Sequence, residues 1–147
     1  MQSKSISFSQ SIFINILLAG SLMLLLNSCS RKLNFSSSVV VPAAEGSVKV
    51  KKDRNKNYSI KVSAINLAEP EKLLPPKSTY VVWIETERNG IKNIGQLKSS
   101  SGFLTKTLKA TLNTVTSFKP NRFFITAEDE AKIQYPGGQV VLTTSHY

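Results

Sequence analysis

The chain has 147 residues, with 19 Lys and Arg against 9 Asp and Glu, and with one histidine and one cysteine. A lone cysteine excludes an intrachain disulfide, and one histidine beside it excludes a metal site built from His and Cys clusters. A net charge of +10 directs attention to anionic partners, nucleic acid and membrane surfaces among them.

Residues 1–28 read as a processing segment. Lys4 and the α-amino group give a positive start, and an apolar run from Ile12 to Leu26 follows, interrupted by Asn15, Gly20 and Ser21. The run is shorter than the ~20 residues a spanning helix needs and has the length of the apolar region of a secretory signal peptide. Directly behind it, Leu26-Asn27-Ser28-Cys29 resembles the bacterial lipobox, in which a small residue precedes a cysteine that is lipidated and becomes the first residue of the mature chain. The resemblance implies that Cys29 is a membrane anchor. It also implies an address in the bacterial cell envelope, at the outer membrane facing the periplasm. Lipidation gives the cysteine a role, since an exposed free thiol is a liability in an exported protein. At about 0.8 kcal/mol per buried methylene, one acyl chain binds marginally and two or more hold firmly.

From Cys29 to Gly46 the chain is rich in Ser, Val, Ala and Pro without a clear period, and a flexible tether is expected over 29–46. The domain then occupies residues 47–147, enough for one modest core. Ser47–Lys52 alternates with Val48 and Val50 inward, Asp53–Asn57 is a polar turn, and Tyr58–Asn66 puts Tyr58, Ile60, Val62 and Ala64 on one face. Lys49, Lys51, Lys52, Arg54 and Lys56 lie close together here. Lys49 and Lys51 alternate with valines as the wet face of an ordinary strand would, and no aromatic RNA-binding run or helix-turn-helix pattern accompanies them. Nucleic acid is therefore not an expected partner; attraction to anionic lipid head groups is the functional alternative.

Leu67–Lys77 contains Pro70, Pro75 and Pro76 and reads as a crossover, with Leu73 and Leu74 capping one end of the core. Tyr80–Leu97 reads as a hairpin about Asn89-Gly90, the dipeptide a two-residue type I′ turn favours. That turn would set Arg88 against Ile91, Glu87 against Lys92, Ile84 against Gly95 and Val82 against Leu97. Tyr80, Val82, Ile84, Gly95 and Leu97 would then face the core. Trp83, opposite Gln96, would share the other face with Glu85, Glu87, Lys92 and Ile94.

Ser99–Gly102 is a turn, and Phe103–Leu112 is a strand with Leu104, Leu108, Ala110 and Leu112 in phase and Lys106 out of it. Asn113–Asn121 reads as a loop, Arg122–Glu128 as a strand with Phe123, Ile125 and Ala127 inward, and Pro136-Gly137-Gly138 as a tight turn. Gln139–Thr144 closes the chain, with Val140 and Leu142 inward. About seven short strands at this spacing predict an all-β fold, a single Ig-like, Greek-key β-sandwich in which at least one strand changes sheets.

Tyr80-Val-Val-Trp83, Gly95-Gln-Leu97, Phe124-Ile-Thr-Ala-Glu128, Pro136-Gly-Gly138 and Val140-Val-Leu142 resemble the extracytoplasmic domain of anti-sigma-K factors over roughly residues 78–144. The resemblance implies an exported β-sandwich that senses or binds something in the envelope. The zinc-associated, sigma-binding segment of that family has no counterpart here, so sigma-factor inhibition is not implied.

Catalysis has little to work with. His146, the only histidine, stands beside the C-terminal residue, a poor place for a positioned base. Glu128-Asp129-Glu130 lacks the spaced oxygens of a calcium loop and reads as a solvated loop. Glu87 against Lys92 is a cross-strand pair rather than half of a carboxylate dyad. No phosphate-binding loop, dinucleotide fingerprint or nucleophile elbow is present. The expectation is a protein without catalytic residues, cofactor or metal: a binding or sensing module for an envelope protein, glycan or small ligand. The alternative is a structural lipoprotein whose basic surface lies against anionic lipid or polymer. Trp83, Glu85, Ile94 and Gln96 form the candidate binding surface, because an aromatic flanked by polar groups supplies contact area at low entropic cost. The opposing expectation for a lone tryptophan on a central sandwich strand is burial, beneath the 30–46 tether or the 67–77 crossover.

Overall fold

A computed structural model describes residues 30–100 and 109–147. The expectations for Met1–Ser28 and Cys29, and those for Gly102, Leu104, Lys106 and Leu108, lie outside these residues. Among the described residues nine strands are formed: β1 Ser30–Asn34, β2 Glu45–Lys52, β3 Tyr58–Ile65, β4 Thr79–Thr86, β5 Gly90–Gln96, β6 Lys98–Ser100, β7 Lys109–Thr116, β8 Pro120–Glu128 and β9 Val140–Thr143. A short 3-10 turn, Pro70–Lys72, lies in the crossover.

The strands make two antiparallel sheets, ordered β1-β2-β3-β7-β6 and β5-β4-β8-β9. Leaving β1 aside, β2-β3-β7-β6 against β5-β4-β8-β9 is the A-B-E-D against C′-C-F-G order of an immunoglobulin-like sandwich. The chain changes sheets between β3 and β4, β5 and β6, and β7 and β8. The expected all-β sandwich is present, with nine strands among the described residues against the expected number of about seven.

The core between the sheets follows the period-two pattern. Val48 and Val50 of β2 and Tyr58, Ile60, Val62 and Ala64 of β3 are all buried. They meet Tyr80, Val82 and Ile84 of β4, Phe123, Ile125 and Ala127 of β8, and Leu142 of β9. Val140, expected inward, is 51% exposed, and Val141 is buried in its place. A bulge is the cause: Ile125 is opposite Leu142 but Thr126 is opposite Val140, so Val141 is the extra residue. Of the two leucines expected to cap the core, Leu73 is buried and Leu74 stands in solvent.

The tether expected over 29–46 is, from Ser30 onward, part of the sandwich. β1 pairs with β2 along its whole length, and Leu33, Val41 and Ala44 join the core. Phe35 then bridges to Thr144, and Ser36 N donates to Thr143 O at 2.8 Å, so this segment ties one sheet's edge to the other's. With one apolar residue in five, β1 has no hydrophobic period, and backbone pairing rather than burial defines it. The strand expected to end at Leu112 runs on to Thr116, and β8 already starts at Pro120, which shortens the expected loop to a tight connection.

The β4–β5 hairpin differs from the Asn-Gly expectation. Asn89 is not among the residues with positive φ, and only Gly90 takes the left-handed conformation, at φ 67°. Thr86 Oγ1 donates to Gly90 O at 2.7 Å and accepts from Asn89 N at 2.9 Å, which fixes a wider turn over Glu87, Arg88 and Asn89. Trp83 consequently lies opposite Asn93 instead of Gln96, an odd shift that turns the start of β5 over. A bulge at Val82/Trp83 then restores the phase, with Val82 opposite Gly95 and Val81 opposite Gln96. Glu87 does not meet Lys92. It pairs with Lys119 at 2.5 Å, and that ammonium holds its carboxyl below the usual carboxylate range. Lys92 instead lies over the Phe118 ring, 5.5 Å from its centroid.

Candidate functional site

The strand run Tyr80-Val-Val-Trp-Ile84 is buried on both faces. Its inner face joins the main core. Its outer face, Val81 and Trp83, forms a second small core with Phe124, against which Ile133 packs. Trp83 is fully buried, and its ring stacks on Phe124 with centroids 6.3 Å apart and planes 13° from parallel. Its cover is the connection between β8 and β9, residues 129–139, and neither the 30–46 segment nor the crossover.

That connection is held down by polar groups. Asn93 Nδ2 donates to the carbonyls of Ala131 and Ile133, each at 2.9 Å. Trp83 Nε1 donates to Thr126 Oγ1 at 2.7 Å, and that hydroxyl donates onward to Glu128 Oε1 at 2.6 Å. Glu128 Oε1 also accepts from Gly137 N at 3.1 Å. Glu128, expected in a solvated loop, is thus buried and builds the lid; its neighbour Asp129 pairs with Lys77 at 2.8 Å.

The four residues of the expected binding surface are not brought together. Trp83 is sealed and presents no surface. Glu85 stands beside it, opposite Ile91, and pairs with Arg122 at 2.7 Å. Ile94 is the residue the bulge displaces, and it packs against the main core. Gln96 is exposed, but it lines a different feature.

That feature is a groove of about 440 Å³ at one end of the sandwich, between the crossover, β4 and the β5–β6 junction. Leu67, Glu71, Tyr80, Gln96, Leu97 and Lys98 are among its walls. Tyr80 is buried at its base, where its hydroxyl donates to Ala68 O at 2.9 Å. Glu69, also lining it, pairs with Lys72 at 2.9 Å. These residues come from separate strands and a proline-rich crossover, so no local pattern announces them. Of the three crossover prolines, Pro70 opens the 3-10 turn and lines the groove. Among the described residues no three His, Cys, Asp or Glu side chains come together as a metal site.

Burial, and then the nearby Glu71 charge, push the Tyr80 phenol up from 10.0 to about 12. The folded value lies above the unfolded one, so this contribution to stability is complete below pH 10.0 and is lost as pH rises through about 12. Absorbance titration is expected to show a phenol ionising near pH 12, with stability falling across the same interval, and Tyr80→Phe should remove that step. A late step that survives in Tyr80→Phe belongs to another residue.

Comparisons with protein-family models, with curated proteins and with solved structures find no match to this chain. The likeness to the anti-sigma-K extracytoplasmic domain therefore rests on the quoted strand residues alone. What fold and geometry define is an immunoglobulin-like sandwich with a tryptophan sealed beneath the 129–139 connection and a groove at one end.

Proposed function

We propose that this chain is a non-catalytic lipoprotein of the bacterial cell envelope, anchored through acylated Cys29, whose immunoglobulin-like domain binds or senses an envelope protein or glycan at the end groove. One observation carries the reading. Ser30, bonded to Cys29, lies opposite Lys51 at the end of the five-stranded sheet where β2 turns into β3. The groove opens at the other end of the strands, where β3 leaves its sheet and β4 begins. An anchor at Cys29 thus leaves the groove on the far side from its attachment, where a partner has access. The groove sets Leu67, Pro70 and Leu97 beside the polar and charged Glu71, Gln96 and Lys98, and a concavity that offers both kinds of contact suits recognition of a partner with polar groups.

Two measurements test it in cells. Intact mass of the membrane-fraction protein should show an acylated Cys29 as the first residue; an unmodified cysteine ends the anchoring claim. A photo-crosslinking side chain at Gln96, in the groove, should give one discrete adduct that is absent when the same group replaces Asn113 on the outer sheet face. Identical adducts from both positions, or none from Gln96, would remove the groove as the site.

A further inference from the structure

The outer face of the five-stranded sheet carries a row of like charge. Lys49 of β2 lies directly opposite Lys32 of β1 on one side and Lys61 of β3 on the other, and all three are exposed. Like charges directly opposite on a sheet are destabilising. No ion pair among the described residues ties any of the three to a carboxylate. Lys51 shares this face two residues further along β2, and the β2–β3 turn adds exposed Arg54 and Lys56. The acid in that turn, Asp53, is occupied in accepting from Asn57 N at 2.8 Å and Asn57 Nδ2 at 3.3 Å. Ser59 and Ser63 flank Lys61 on the same face of β3, so the lysines rise above short side chains.

Ser30 stands at the same corner, exposed and opposite Lys51. Consecutive Cα atoms are about 3.8 Å apart and directly opposite ones about 5 Å. An acylated Cys29 would therefore hold the Lys51 backbone within roughly 10 Å of the anchored residue, close to the ~8 Å Debye length at physiological ionic strength. We propose that the lysine row and its adjoining turn dock on anionic lipid head groups of the membrane that holds Cys29, turning the five-stranded sheet toward the bilayer and the four-stranded sheet away. The proximity rests on the anchoring reading; the charge does not. Each basic residue near such a surface contributes about fivefold in affinity, and the contribution is screened by salt.

The test uses the full chain purified from membranes, its mass recorded, and reconstituted into nanodiscs of phosphatidylcholine alone or mixed with phosphatidylglycerol. Amide hydrogen exchange across residues 47–61 reports the contact. Exchange in the 53–57 turn should slow by about fivefold or more in the phosphatidylglycerol discs only, and the slowing should vanish near 1 M salt. Lys49→Gln/Lys51→Gln/Lys61→Gln should abolish it, as should Arg54→Gln/Lys56→Gln, which leaves the strands untouched. Lys72→Gln/Lys132→Gln, away from this face, should retain it. Equal exchange in both discs with Cys29 acylated overturns the docking and leaves the anchor. An unmodified Cys29 with the same lipid-dependent slowing on phosphatidylglycerol vesicles overturns the anchor and leaves the docking. Slowing by duplex DNA and not by the anionic discs overturns the lipid assignment.

Discussion

Trp83→Ala should lower stability by about 3–5 kcal/mol, the range for deleting a buried large aromatic. That is a large share of the 5–15 kcal/mol of an ordinary domain, and it should appear as a fall of roughly 10–20 °C in Tm. Trp83 fills the space between the four-stranded sheet and the 129–139 connection, stacked on Phe124 and donating to Thr126. Removing it leaves Phe124 and Ile133 with a void between them and takes away the donor that Thr126 Oγ1 accepts from. Trp83→Phe keeps a stacked six-membered ring but gives up the hydrogen bond and part of the indole volume, so its cost should be about 2–3 kcal/mol. Because Trp83 is the only tryptophan, fluorescence reads the same site. Its emission should be blue-shifted and inaccessible to acrylamide. Emission like that of free indole, together with less than about 1 kcal/mol lost in Trp83→Ala, would mean that the connection does not seal this face.

The two faces of the sheets were not equally legible in the sequence. β2 and β3 alternate because one face is wet, so Val48, Val50, Tyr58, Ile60, Val62 and Ala64 declare their side by period alone. β4 and β8 are central strands buried on both faces, and their runs Tyr80–Ile84 and Phe123–Ala127 carry no alternation to read. Five consecutive apolar residues were the sign that Trp83 would be covered. The cover itself was hidden, because the connection packs Ile133 as its one apolar residue there and is held otherwise by Asn93, Thr126 and Glu128. Polar clamps of this kind depend on contacts between residues far apart in sequence.

Register failed for a local reason. Asn89-Gly90 has the composition of a two-residue turn, but Thr86 bonds across the turn and selects the wider one. One side chain outside the dipeptide therefore decided which residue of β5 meets Trp83, and with it the fate of the expected surface. β1 was illegible for the opposite reason: its place comes from backbone bonds to β2, which any sequence without proline can make. The strand signals at Phe123–Ala127 and Val140–Leu142 survived because a bulge shifts one residue without erasing the apolar run.

Gly138→Ala should be the most damaging Gly→Ala change among the described residues, costing about 3 kcal/mol or more, at or above the upper end for overpacking. A Cβ at Gly138 would sit 1.7 Å from Ala127 O and 2.8 Å from Ala127 C, both of them backbone atoms of the central strand β8. No rotamer relieves such a contact, so the connection itself must move. Moving it strains the bond from Ala127 N to Gln139 O, 3.1 Å long, and the bond from Gly137 N to Glu128 Oε1. Loss of the second leaves the buried Glu128 carboxylate short of a donor, and burial without partners is costly for a charge. The neighbouring glycine is the control. A Cβ at Gly137 meets only Glu128 Oε2, at 3.8 Å, so Gly137→Ala should stay within about 0.5 kcal/mol of the parent. The damage should also be visible at a distance: as the connection lifts, Trp83 emission in Gly138→Ala should shift to the red and become open to acrylamide, while Gly137→Ala leaves it unchanged. Equal stability and equal emission in the two variants would show that the 129–139 connection does not approach β8 as closely as the lid geometry requires.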